Sequence, residues 1–229
     1  MNMEKLSGYC AVVASMDKDN IHVHYHDKEY GFPIADDNHL FARLVLEINQ
    51  AGLSWTTILN KKDNFFRAYD DFDIDKVAGY GEKQRQRLLA DAGIIRNRLK
   101  VDAAIENART IRTIQKEHGS FKNWLDAHHP LTKQEWVQLF KKTFRFTGGE
   151  IVGEFLMSTG YLPGAHSEGC PIYKKVLKAR PAWAEKKKVS IARPAEVEKK
   201  KASTARPAQA EKKKASTAKP ARAEKKVKS

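Results

Sequence analysis

Asp36-Asp37-Asn38-His39-Leu40-Phe41-Ala42-Arg43-Leu44-Val45-Leu46-Glu47-Ile48-Asn49-Gln50-Ala51-Gly52-Leu53-Ser54-Trp55 is the stretch on which the fold turns. Leu40, Phe41, Leu44, Val45 and Ile48 recur at helical spacing and form one apolar face. Asp36 or Asp37 is placed to cap that helix. Glu47 follows Leu40 by two turns, and at ~100° per residue it falls within about 20° of the same face. The helix therefore turns a carboxylate inward, where it needs a cation or several donors. A glycine turn (Ala51-Gly52), an exposed Leu53 and the flat ring of Trp55 follow. Together they suit a planar, electron-poor ligand. The same spacing also fits Glu47 on a solvated helix shoulder, with Leu53 and Trp55 as core filling.

Before this stretch, residues 1–33 show little helical periodicity. His22, His24 and His26 alternate as on a short extended segment, and Pro33 breaks the chain. After Trp55 a helix continues or restarts over 56–62, and Phe65, Phe66, Tyr69 and Phe72 supply core aromatics. Asp73 caps a short helix at 74–78, and 82–92 reads as another. A long helix at 98–115 carries Val101, Ala104, Ile105, Ala108, Ile111 and Ile114 on its inner side. A short helix at 121–127 precedes Thr132-Lys133-Gln134-Glu135, a capping box opening a helix to 144. Gly148-Gly149 introduces a last one at 150–158. No alternating strand pattern occurs. The expectation is an all-α body over residues 1–178, long enough for one packed core.

Charge separates the rest. From Lys174 to Ser229 there are 20 Lys+Arg and 5 Asp+Glu, so residues 1–173 hold 22 and 23 of the totals of 42 and 28. The entire basic excess lies at the end of the chain. There Ala-Arg-Pro-Ala recurs from Ala179, Ala192 and Ala205, and degenerately from Ala218, each unit with a run of lysines. Apart from Trp183 these repeats lack large apolar anchors, so 179–229 is expected to be disordered when free. Such a tail resembles histone-like lysine-, alanine- and proline-rich extensions. It is expected to bind DNA non-specifically through phosphates and counterion release; a purely solubilising tail is the alternative. Two cysteines exclude a disulfide scaffold, and no apolar run approaches a membrane span. Without a signal-peptide core, an intracellular, nucleoid-associated monomer is expected.

Two further sets carry chemistry. Leu88-Leu89-Ala90-Asp91-Ala92-Gly93-Ile94-Ile95-Arg96-Asn97-Arg98-Leu99-Lys100 resembles a helix-hairpin-helix. Gly93 makes the tight turn, the amides opening the second helix face a phosphate, and Arg96, Arg98 and Lys100 add charge. Cys10, His26, His166 and Cys170 are a candidate zinc set, with His166 and Cys170 four apart and the partners drawn from opposite ends of the body. Unrelated thiols and imidazoles are the alternative.

Cys10, Tyr25-His26-Asp27-Lys28-Glu29-Tyr30-Gly31, Leu46-Glu47 with Gln50-Ala51-Gly52-Leu53-Ser54-Trp55, Asp91-Ala92-Gly93-Ile94-Ile95-Arg96, and His166 with Cys170 together resemble the DNA-3-methyladenine glycosylase I family, in that family's order. The tail lies outside the resemblance. It implies a helix-hairpin-helix glycosylase that hydrolyses the N-glycosidic bond of 3-methyladenine in alkylated double-stranded DNA. It also implies one structural zinc on Cys10, His26, His166 and Cys170. Glu47 is the expected catalytic residue, and Tyr25, Tyr30 and Trp55 the expected base-binding ones. Gln50, Gly52, Leu53, Gly93, Ile94, Arg96, Arg98 and Lys100 are expected to meet DNA, with Leu53 as the plug for the vacated stack. Tyr30 stands where the family usually has tryptophan, and Val12 near where it often has another. These departures keep two alternatives open: a glycosylase for a different alkylated base, and a non-enzymatic DNA-binding protein with a degenerate pocket.

Overall fold

In the computed structural model, which describes residues 6–185, the chain runs through α1 (Gly8–Val13), α2 (Ile21–Lys28), α3 (Asp37–Gln50), α4 (Trp55–Ala68), α5 (Ile74–Ala78), α6 (Glu82–Ala90), α7 (Arg98–His118), α8 (Phe121–His128), α9 (Lys133–Thr143), α10 (Gly149–Ser158) and α11 (Tyr173–Lys178). Two single 3-10 turns lie at Asp70–Phe72 and Ala182–Ala184. No strand occurs among the described residues, and none of their helices is long and apolar enough to cross a membrane.

α3 is the axis. The side chain of Asp36 accepts from the His39 amide at 2.9 Å and caps it. Asp37 takes a different part: its carboxylate accepts from the amides of Phe121 (2.7 Å) and Lys122 (3.0 Å), tying the start of α3 to the start of α8. Every residue from Leu40 to Asn49 is buried, because α4, α7, α8 and α10 pack around the helix. α7 lies along α5 and presents Val101, Ala104, Ile105, Ala108, Ile111 and Ile114 to the same core. The capping box of Thr132 and Glu135 opens α9 as the sequence predicts, and Asp73 caps α5.

The extended segment expected at His22–His26 is instead the helix α2. Asn20 caps it by accepting from the His22 amide at 2.9 Å. The helical period was hidden because the buried face is carried by Tyr25 and His26, polar aromatics rather than aliphatics. α4 runs to Ala68 rather than 62, taking in Phe65 and Phe66, and α7 continues to His118, where Gly119 at φ +82° ends it.

The first repeat of the expected tail also departs from its neighbours. Pro181 is buried, the Trp183 amide donates to Gly160 O at 3.3 Å, and the Trp183 ring lies 6.2 Å from that of Tyr173. Packing therefore continues past 178, and it uses the one aromatic side chain in the repeats. The lysine-rich repeats from 186 onward, with their expected disorder and DNA binding, lie outside the described residues.

Candidate active site

The inward turn of Glu47 places its carboxyl, only 4% exposed, on a cavity of about 560 Å³. Tyr25, Tyr30, Gln50, Trp55 and Glu154 share its wall. Burial pushes the Glu47 carboxyl up to about 8; Arg43 pulls it down, Glu154 adds to the rise and the Ser158 hydroxyl opposes it. Arg43, one turn earlier, does not neutralise Glu47 by contact. Its Nη1 donates to Tyr25 Oη at 2.6 Å and its Nη2 to Glu29 Oε2 at 3.1 Å. Lys62 holds the other oxygen of Glu29 at 2.5 Å. Tyr25 is thereby fixed against the cavity, its ring 5.1 Å from Trp55 and 5.6 Å from Tyr30. The indole Nε1 of Trp55 is buried and has no partner among the described residues.

Val12 is 52% exposed and takes no part in this wall. Tyr9 supplies an aromatic there instead, edge-on to Tyr30 at 5.6 Å. Its hydroxyl meets His22 Nδ1 at 2.8 Å, and His22 Nε2 meets Thr56 Oγ1 at 2.8 Å, joining α1 to the start of α4.

The turn between α3 and α4 presents Leu53. Gly52 sits at φ +81°, a conformation that favours glycine, and the Leu53 amide closes onto Gln50 O at 2.8 Å. Leu53 is 40% exposed, so core filling is excluded for it. Gln50 reaches the cavity from the same turn.

Between α6 and α7 the chain makes the expected tight turn. A Cβ on Gly93 would lie 2.9 Å from Asp91 Oδ1 and 3.2 Å from Asn64, so any side chain there would have to push Asp91 and Asn64 aside. Ile94 is buried and anchors the turn, while Arg96 and Arg98 stay exposed. Two expectations are corrected here. The Gly93 amide is already taken, donating to Asp91 Oδ1 at 2.7 Å. The amides of Arg98 and Leu99 stand ahead of the first helical bond of α7, from Val101 N to Asn97 O, and are the donors open to an anion. Lys100 also turns inward. Its ammonium donates to Asn49 O (2.9 Å) and Ala51 O (2.7 Å), and is lowered by burial. The carbonyls ending α3 attract it more than solvent does, so it braces the Leu53 turn rather than meeting a phosphate.

Cys10, His26, His166 and Cys170 converge from α1, α2 and the segment after α10, all buried, with donor atoms within 4.8 Å of one another. Cys10 Sγ lies 3.3 Å from His26 Nε2 and 3.7 Å from His166 Nδ1. Cys170 Sγ lies 3.7 and 3.8 Å from the same atoms, and the two nitrogens are 3.2 Å apart. The opposite ring nitrogens are engaged elsewhere, His26 Nδ1 with Asp27 Oδ1 and His166 Nε2 with Tyr30 O, both at 2.7 Å. These four residues can hold a metal ion.

Comparison with known proteins gives the family. The family model for methyladenine glycosylase matches residues 15–137. The chain belongs to the methyladenine glycosylase family. DNA-3-methyladenine glycosylase 1 of Escherichia coli (strain K12) is 34% identical over 175 residues, covering 68% of this chain and 93% of that protein. The DNA-3-methyladenine glycosylase of Haemophilus influenzae is 31% identical over 171 residues, covering 66% and 92%. A solved Staphylococcus aureus 3-methyladenine DNA glycosylase I, described for its recognition of 3-methyladenine, superposes with a TM-score of 0.64 at 30% identity, covering 72% of this chain and 97% of that one.

Sequence reasoning missed Glu154, Tyr9 and Arg43. Glu154 accepts from Tyr30 Oη at 3.2 Å, and burial raises its carboxyl. A signal for it was present. Glu154 falls three after Ile151 and four before Ser158 on α10, as Glu47 falls within the apolar series of α3. Tyr9 had none, since α1 is a single short helix without apolar periodicity.

Proposed function

We propose that the chain is a monofunctional base-excision glycosylase that releases 3-methyladenine from alkylated double-stranded DNA. The observation that carries this reading is the buried carboxyl of Glu47, without an ion-pair partner among the described residues, on one wall of a cavity large enough to take a base, with Trp55 and Tyr25. The names of its relatives agree with it. A base in a duplex must leave the stack before any pocket can hold it. Leu53, apolar and exposed on a braced turn, fills the vacated position. The α6–α7 element acts as a helix-hairpin-helix, with the amides of Arg98 and Leu99 and the charges of Arg96 and Arg98 beside the backbone phosphate.

Trp55 stacks on the flipped base and Tyr30 completes the aromatic wall. N3-methyladenine in DNA is already cationic, so it needs no proton to become a leaving group. Glu47, ionised by the arriving cation, accepts hydrogen bonds from the base and favours it over neutral adenine. The bond from N9 to the sugar C1′ breaks with its electron pair going to the base. Water oxygen then bonds to C1′ and loses a proton. A lyase step needs an amine nucleophile, and no lysine lines the described cavity, which favours simple hydrolysis.

Cys10, His26, His166 and Cys170 suit a structural zinc. Zinc–sulfur and zinc–nitrogen bonds of about 2.3 and 2.0 Å in a tetrahedron imply nitrogen–nitrogen and sulfur–nitrogen separations of roughly 3.3–3.5 Å, close to those above. Asp27 and the Tyr30 carbonyl fix the ring tautomers, as outer partners of ligating histidines do. Zinc would tie α1 and α2 to the end of the body, behind Tyr25 and Tyr30. The tail is a non-specific DNA tether in this reading, and the protein acts as an intracellular monomer.

Incubation with methylated duplex DNA, followed by chromatography of freed bases, is the test. 3-methyladenine release by the wild type, with the rate lowered about 10²–10³-fold in Glu47→Gln, is expected. Another freed base would assign a different lesion. No freed base at all would leave a DNA-binding protein.

A further inference from the structure

Among the described residues, Glu154 is the one acid on the cavity that the reaction above leaves without a task. It reaches the wall from α10, and Glu47 reaches it from α3, which packs against α10. Tyr30 Oη, at 3.2 Å, holds the Glu154 carboxylate in place. Neither acid has a dedicated cation among the described residues. Arg43 is committed to Tyr25 and Glu29, and Lys133, which acts on Glu154 from α9, pairs with Glu150 at 3.5 Å. Two carboxylates on one partly dry cavity repel, and each makes ionisation of the other harder. A neutral ligand leaves that repulsion as it is, whereas a cation of the same shape relieves it.

We propose that Glu154 is a second base-contacting acid, so that this pocket selects N-alkylated purines by their positive charge, shared between Glu47 and Glu154. The proposal rests on the base-excision reading and deepens it, by adding a second acid to the charge selection assigned to Glu47. Charge selectivity then has two separable contributors on two helices. Tyr30 serves it by orienting Glu154, a task for the phenol hydroxyl.

The experiment compares two probes of one shape on the full-length protein. One is the 3,9-dimethyladeninium ion, whose charge is fixed. The other is 3,9-dimethyl-3-deazaadenine, its uncharged isostere. Binding of each is followed by calorimetry for the wild type, Glu154→Gln and Glu154→Ala. Both variants are expected to bind the cation about tenfold more weakly and the neutral probe within about twofold of wild type. The neutral probe doubles as a check that the cavity is intact. Parallel weakening of both probes would show a packing role and overturn the proposal, as would unchanged binding of both. Wild-type protein that releases 3-methyladenine while Glu154→Gln keeps full discrimination sinks only the Glu154 proposal. Wild-type protein that binds neither probe and releases no base sinks the base-excision reading, and this proposal with it.

Discussion

The base cavity and the Cys/His cluster both bury polar groups, and they do so in opposite ways. In the cluster the four donors converge, the sulfur–nitrogen and nitrogen–nitrogen separations lying between 3.2 and 3.8 Å, and both rings are held from behind by Asp27 and the Tyr30 carbonyl. In the cavity, Glu47 and Glu154 share a wall without a cation of their own among the described residues, and the Trp55 indole N–H has no partner among them. A site whose polar groups are mutually arranged is built for stability with its occupant in place. A site whose polar groups are left open costs stability and waits for a ligand that exchanges. The two meet at Tyr30, whose carbonyl serves the cluster and whose hydroxyl serves Glu154.

The contrast breaks first on the cluster side. Cys170→Ala should abolish stoichiometric zinc and lower Tm by about 10 °C or more, because a structural metal contributes directly to folding. A folded wild-type sample with substoichiometric zinc removes the four-ligand site altogether.

On the cavity side the sign reverses. Because the folded Glu47 carboxyl sits near 8, above its ordinary 4.5, the folded state holds a proton that the unfolded chain releases. Stability from this group is full below about pH 4.5 and is lost as pH rises to 8. Glu47→Gln should therefore match wild type at pH 4 and exceed it by roughly 4 kcal/mol at pH 8, while base release collapses. Urea unfolding at the two pH values measures this, and an equal difference at both contradicts the buried carboxyl. For the same reason kcat/KM should climb between pH 6 and 8 as the free enzyme's Glu47 ionises.

Smaller effects sharpen the DNA side. Gly93→Ala forces a Cβ against Asp91 and Asn64 and should cost about 1–3 kcal/mol, with weaker duplex binding measured by fluorescence anisotropy. Truncation after Glu185 keeps the Trp183 packing and removes only the lysine-rich repeats. It should weaken duplex binding at low salt, by an amount that shrinks as salt rises, without changing which base is released. A changed base preference would mean that the tail shapes the pocket.

The sequence reached much of this because several signals are local. Capping residues at Asp36, Asp73 and Thr132, and the glycine of the 91–97 turn, act within one or two turns of chain. The four cysteine and histidine residues were legible as a set from their chemistry, although 140 residues separate its halves. α2 was not legible, since its buried face is Tyr25 and His26, and apolar periodicity cannot mark a helix whose inner side is polar. Lys100 misled for the related reason that charge alone does not say whether a side chain meets solvent or the carbonyl end of another helix.

By itself, then, the sequence determined an all-helical body and marked Glu47 and the four cysteine and histidine donors as candidates, because helix period, capping and ligand chemistry are written in neighbouring residues; the burial of Glu47 and the convergence of the donors came from the fold. Tertiary structure alone decided that Lys100 braces the Leu53 turn, that Tyr9 rather than Val12 closes the aromatic wall, and that Glu154 joins Glu47. Each of those depends on which helices pack against α3, and that depends on the whole core.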